Sequence, residues 1–212
     1  MAGEVSLKGN MAMAFGTPII AYPWPDSDGL NAELRATILA RQGESQGIMR
    51  SNVGGWHSAN DFFAWEAPGI AGFRKRAEQI AIEATRAITV VKDAARTFGF
   101  RFEGWANVTR HGGYNTVHDH PNSVWSGVYY VDGGDAPAEG QPMSGKLELV
   151  DPRTGVNMIH IENTVLHGRY VIDPLPGLMV VFPSWLKHFV HPYFGQAPRI
   201  SIAFNVYAAE KR

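Results

Sequence analysis

Cysteine is absent from this chain, and that one absence removes disulfides, thiolate-bound metals and a cysteine nucleophile together. Net charge is almost absent too, with 19 Lys and Arg against 20 Asp and Glu. So balanced a chain carries neither the basic footprint of a nucleic-acid binder nor the acidic bias of a disordered segment. No nucleic-acid partner is expected. Long apolar runs are missing as well. The longest near the start, Met11 to Tyr22, is broken by Gly16 and Pro18 and has no basic leader. Neither a signal peptide nor a membrane span is expected, and a cytoplasmic setting is the default.

What is present is an ordinary globular composition, 45% hydrophobic over 212 residues, enough for one domain with a helical elaboration. The chain changes character near residue 99. Before it, Asp26-Ser27-Asp28 offers capping oxygens ahead of Leu30, Leu34 and Ile38 at helical spacing. A second stripe runs through Ile70, Phe73, Ala77, Ile80, Ala84, Ile88 and Val91, with Pro68 in the first turn and Gly99 as terminator. Between the helices, Ser51–Phe63 reads as a polar loop rich in glycine and aromatics.

After residue 99 the pattern becomes short β runs separated by Gly, Pro and Asp. The expected strands are Phe100–Thr109, Asn115–His120, Ser126–Val131, Lys146–Val150, Asn157–Ile161, Arg169–Ile172, Leu178–Phe182, His188–Pro192 and Ile200–Val206. Gly133–Gly145 reads as a long exposed turn. This spacing predicts a mainly β (α+β) fold of the jelly-roll kind with an N-terminal layer of two or more helices. A single domain spans 1–212, with 1–99 as helical layer and first strand and 100–212 as the core. The edges of such a fold are compatible with a homodimer, although no residue identifies an interface.

The chemistry concentrates on histidine. His118 and His120 lie two apart in an expected strand, where alternation turns both rings to one face and Asp119 to the other. His188 supplies a third nitrogen. Imidazole suits Zn, Cu, Fe and Ni, and three protein ligands leave positions open for substrate or oxygen. Arg199 and Ser201, two apart on one strand face, can grip a carboxylate together. A metal beside a carboxylate clamp is what a bidentate 2-oxo acid needs. Taken alone, an H-x-H pair is more often a polar surface pair than a ligand set; the distal His188 and the Arg199–Ser201 pair tip the balance.

Several stretches carry a resemblance. GGYNTVHDHPNSVWSGVYYV (112–131), GKLELVDPR (145–153), PLPGLMVVFPSWLKHFVHPY (174–193), RISIAFN (199–205) and the earlier SNVGGWHS (51–58) resemble the Fe(II)/2-oxoglutarate-dependent oxygenase superfamily, in particular a bacterial and phage group of unknown substrate. The resemblance implies a double-stranded β-helix and hydroxylation of a substrate with Fe(II), 2-oxoglutarate and dioxygen. Its metal motif, H-x-D/E with a distal His and then Arg, falls on His118, His120, His188 and Arg199. The carboxylate position thus holds His120. Three neutral imidazoles leave Fe(II) about one charge more positive than the usual set, and a 2-oxoglutarate dianion offsets this. Asp119 as ligand through a bulge, a three-histidine dioxygenase that needs no 2-oxo acid, and a non-catalytic metal-binding jelly roll stay open.

Other residues have weaker claims. Asn115 stands three before His118, where related enzymes place a polar co-substrate contact. Alternation turns one of Tyr129 and Tyr130 inward without fixing which; Tyr129 is taken as the co-substrate contact. Asn107 flanks the site in sequence, and Asn205 continues the Arg199–Ser201 face. His57, among Gly54, Gly55 and Trp56, belongs either to a loop that closes over the site or to a packed turn. Asp151-Pro152-Arg153 reads first as a turn, and His191, facing away from His188, as structural. His111, His160 and His167 read as solvated surface.

Overall fold

A computed structural model describes residues 16–89, 98–156, 161 and 168–210. His160, His167, Val91 and all of the Asn157–Ile161 strand except Ile161 lie outside the described residues. Ile161 itself has no regular secondary structure. The elements are β1 (Ile20–Pro23), α1 (Asp28–Glu44), β2 (Asn52–His57), α2 (Ile70–Ile88), β3 (Phe98–His118), β4 (Trp125–Asp132), β5 (Leu147–Val150), β6 (Arg169–Ile172), β7 (Leu178–Pro183), β8 (His188–Val190) and β9 (Arg199–Glu210), with a short 3-10 turn at Phe62–Ala64.

All strand pairings among the described residues are antiparallel, in the order β1-β7-β4-β9-β3-β8-β5-β6 with β2 on β3. Residues from β3, β4 and β9 and from β5 and β8 line one cavity, so the sheet curls around it. This is the expected double-stranded β-helix with its helical layer. The strands of the larger wall are buried on both faces. On β4, Trp125, Tyr129 and Val131 face the helices, while Ser126, Val128 and Tyr130 face the cavity. The same alternation puts Ile200, Ile202 and Val206 of β9 against the helices and Arg199, Ser201 and Ala203 inside.

The helices bury Leu34, Ile38, Phe73, Ala77 and Ile80 on this wall. Burial of each large apolar side chain contributes about 1.5–3 kcal/mol. Two polar bonds fix their position: Trp125 Nε1 donates to Thr85 Oγ1 (3.0 Å) and Tyr129 OH to Asn31 Oδ1 (2.7 Å).

Four boundary expectations are corrected. The Ser51–Phe63 segment contains a strand, β2, whose Gly54-Gly55 hid it from any apolar alternation. Pro68 precedes α2 instead of entering its first turn. The N-cap is Gly69 at φ 82, where a Cβ would also meet Leu34 at 3.0 Å. Gly99 sits inside β3 and terminates no helix, since α2 ends at Ile88. Finally, Phe100–Thr109 and Asn115 onward form one continuous strand that stops at His118, so His120 lies beyond it.

Candidate metal centre

His118, the last residue of β3, is the register partner of His188, the first of β8. Their antiparallel pairing brings the two imidazoles to a 4.3 Å centroid separation. His120 joins them by a different route from the one its spacing suggested. The chain has already left the strand, and the backbone N–H of His120 donates to Ser184 O (2.9 Å) in the turn that precedes His188. One ligand nitrogen from each of the three residues lies within 4.8 Å of the others. Asp119 stays outside this group; its carboxylate accepts from Lys187 Nζ at 2.9 Å.

The electrostatics suit a cation held by neutral donors. Burial pushes His188 down to about 3 and His120 down to about 4, each further lowered by the charge of His118. His118 is also lowered, chiefly by burial. The Nδ1 atoms of His118 and His188 lie 2.7 and 2.9 Å from the carbonyls of Thr116 and Leu186. A carbonyl only accepts, so both rings carry Nδ1–H and leave an Nε2 lone pair to face a metal.

Lining the same cavity is Arg199, only 2% exposed. No carboxylate pairs with it among the described residues, and its Nε has no hydrogen-bond partner. Desolvation lowers its pKa, opposed by the neighbouring phenols of Tyr130 and Tyr193. The hydroxyl of Tyr130 and the Oδ1 of Asn107 are likewise buried without a partner. Ser201 lies on the same wall, and its register partners are Asn107 and Tyr130. A three-nitrogen set, an open cavity and a buried guanidinium whose Nε is unpartnered, beside an unpartnered hydroxyl and amide oxygen, fit a divalent metal together with an anionic chelator.

The structure therefore brings together His118, His120, His188, Arg199, Ser201 and Asn115, the last donating from Nδ2 to Ser51 Oγ at 3.2 Å. It does not bring Tyr129. That ring turns to the helices, where its hydroxyl donates to Asn31 and lies 3.2 Å from Arg76 Nη1, and Tyr130 occupies the cavity instead. Sequence reasoning also passed over Trp105 and Ser51, which line the cavity. Trp105 is two residues before Asn107 on β3, so alternation from Asn107 was the signal that could have found it.

His57 forms no lid: it sits in paired β2, 3% exposed. Asn205 accepts from Ser126 Oγ (2.8 Å), Arg153 pairs with Asp151, His191 lies 2.8 Å from Glu148, and His111 lies on the exposed side near Phe194 O.

Residues 103–205, just under half of the chain, match the family described as "Putative 2OG-Fe(II) oxygenase". No curated protein sequence matches. Among solved structures, a Pseudomonas putida prolyl-4-hydroxylase shares 19% identity over 92% of this chain and 93% of its own, with a TM-score of 0.61. A Trichoplax adhaerens prolyl hydroxylase, solved with a peptide fragment of the hypoxia inducible factor oxygen degradation domain, shares 16% over 92% and 84%, with a TM-score of 0.59. HygX from Streptomyces hygroscopicus, solved with nickel and 2-oxoglutarate, shares 12% over 90% and 83%, with a TM-score of 0.58. At these identities the structural likeness speaks for the fold, and the matched segment 103–205 contains all three histidines and Arg199.

Proposed function

We propose that this chain is a 2OG-Fe(II) oxygenase, the family whose model matches residues 103–205, and that it hydroxylates a small-molecule or peptide substrate using one Fe(II) and 2-oxoglutarate. His118, His120 and His188 would hold the metal. Arg199, Ser201 and the hydroxyl of Tyr130 would bind the far carboxylate of the 2-oxo acid.

The observation that carries this reading is Arg199, buried in the cavity with no carboxylate partner among the described residues. A buried guanidinium without a counter-charge costs several kcal/mol of desolvation, and an anion entering the cavity offsets that cost. The HygX structure, with nickel and 2-oxoglutarate bound, supports the same pairing of metal and anion.

When bound, Fe(II) with dioxygen and 2-oxoglutarate supplies oxidation of an unactivated C–H bond: one oxygen atom goes to the substrate and one to succinate as CO₂ leaves. The residues of the chain bind, orient and shield. Arg199 gives a planar fork to a carboxylate, Tyr130 donates a proton in a hydrogen bond, and Ser201 adds a second hydroxyl. Phe182, Leu147 and Val190 also line the cavity and limit water there. The three histidines, kept neutral by burial, present lone pairs without needing to lose a proton first. The peptide-bound prolyl hydroxylase among the structural neighbours supports testing prolyl peptides first.

Anaerobic calorimetric titration of 2-oxoglutarate into Fe(II)-loaded protein tests the assignment, with metal-free protein and Arg199→Ala as controls. Micromolar-range binding is expected only where both metal and Arg199 are present. Metal-loaded protein that takes up no 2-oxoglutarate would overturn the reading.

A further inference from the structure

The three candidate ligands are not held alike. His118 and His188 each have Nδ1 fixed by the carbonyl two residues upstream. The ring of His120 has no such bond with any described residue. Its backbone is anchored, N–H to Ser184 O and C=O to Ser123 Oγ, but the imidazole is not. It also sits past the end of β3, where no strand pairing sets its direction. A metal ligand without a fixed ring is free to turn about its side-chain bonds, so something else must orient it.

The ring contacts that remain among the described residues are aromatic: His118 and His188 themselves, with centroids 5.0 and 5.2 Å away, and, outside the ligand set, Trp105. Trp105 packs on His120 with ring centroids 5.5 Å apart and planes tilted by 49°. Trp105 in turn stacks on His57 at 5.4 Å and 11°. His57 is locked from behind, with Nδ1 2.6 Å from Ser58 O, and Ser58 is tied to β3 by two bonds of 3.0 Å with the backbone of Ala106. Trp105 is 8% exposed yet belongs to neither apolar core cluster of the protein. Its packing is directed at the histidines instead. The Gly-Gly-Trp-His-Ser segment, which the reading of the metal site otherwise leaves unused, thereby acquires a role. In register, β2 sets His57 opposite Asn107, two residues along β3 from Trp105.

We propose that Trp105, backed by His57, is the positioning element for His120: aromatic packing takes the place of the ring hydrogen bond that holds the other two ligands. This rests on the assignment of His118, His120 and His188 as metal ligands. Loss of the stack frees the His120 ring and weakens the metal, while the fold persists on its separate apolar clusters.

The test titrates Co(II) alone, without 2-oxo acid, and reads both affinity and the ligand-field absorption spectrum. Trp105→Leu should weaken Co(II) binding by about ten- to hundredfold, the range typical for removing a supporting contact of a metal ligand, and should change the spectrum. Trp105→Phe should recover most of the affinity, and His57→Ala should fall between. In a His120→Ala background Trp105→Leu should have no further effect, because the residue it positions is gone; a purely structural Trp would still show its cost there. Folded Trp105→Leu protein with wild-type affinity and spectrum overturns the proposal. Should Trp105→Leu fail to fold, an unchanged affinity and spectrum in His57→Ala does so instead. Wild-type protein that takes no Co(II) at all would sink the metal assignment along with it.

Discussion

Arg199 and Tyr130 face each other from adjacent strands, the guanidinium carbon 5.2 Å from the phenol ring centroid, and neither Arg199 Nε nor the Tyr130 hydroxyl has a hydrogen-bond partner. The phenol is pushed up to about 12 by burial, so it remains a donor at any working pH. A buried cation and a buried donor converge on one place in the cavity. That arrangement is costly for an empty fold and useful for an anion.

It follows that Arg199→Met should separate stability from binding. Removing an unpaired buried charge and filling its volume is expected to leave the metal-free protein as stable as wild type, or to stabilise it by about 1–4 kcal/mol. The same change should abolish 2-oxoglutarate binding. Thermal melts with and without 2-oxoglutarate and metal check both halves. A strongly destabilised metal-free variant would mean that Arg199 has a structural partner.

The two tyrosines give an opposed pair. Tyr130→Phe removes a cavity donor and should weaken 2-oxoglutarate by roughly tenfold, about 1–1.5 kcal/mol, with little change in stability. Tyr129→Phe strands Asn31 and should cost about 1–2 kcal/mol of stability with no effect on the co-substrate. Denaturant melts and co-substrate titrations of both variants would reverse the assignment if the pattern were exchanged.

This pair also marks how far the sequence could be read. The strands from β4 onward follow from short apolar runs between turn residues, and the three histidines and Arg199 follow from motif spacing. Which face of β4 looked inward did not follow. Tyr129 and Tyr130 are both fully buried, one against helices and one in the cavity, and alternation carries no sign when both faces are covered. β2 was illegible for a different reason. Among the described strands it pairs only with β3, and Gly54 and Gly55 give it no apolar stripe. Arg110–Tyr114, polar and carrying two glycines, fell between two expected strands but continues β3. The convergence of His120 depends on a bond to the β7–β8 turn, which no local pattern encodes.

Away from the site, Glu148 is expected to contribute acid sensitivity to the fold. Its carboxylate accepts from Arg169 at 2.8 and 2.6 Å, and this bond, followed by His191, outweighs desolvation and holds its pKa below the usual 4.5. A carboxyl whose folded value is depressed contributes fully above its unfolded value and loses that contribution as pH falls through the folded one. Urea melts across the acid range should show a shallower fall in stability for Glu148→Gln than for wild type. Parallel curves would remove Glu148 from the account.

The last prediction concerns the histidine that stands where the superfamily pattern places a carboxylate. Among the described residues the cavity is lined by no Asp or Glu, so with three neutral imidazoles the charge they build into it is the cation of Arg199. A divalent metal would raise the local charge to about +3, and the 2-oxoglutarate dianion would bring it to about +1. Metal and co-substrate should therefore each bind better in the presence of the other, and by the same factor, since linkage is reciprocal. A factor of about 5 to 150 is the usual range of such coupling. His120→Asp supplies the missing negative charge from the protein. It should tighten Co(II) in the absence of 2-oxoglutarate and shrink the factor by which 2-oxoglutarate tightens it further. Asp119→Asn breaks the Lys187 ion pair and removes a charge that acts on the three histidines from outside the ligand set, so it should shift both quantities the opposite way and by less than His120→Asp. Co(II) titrations at zero and saturating 2-oxoglutarate measure the factor directly in all three proteins. Equal coupling in wild type and His120→Asp would show that the charge of this ligand does not set how the site holds its metal.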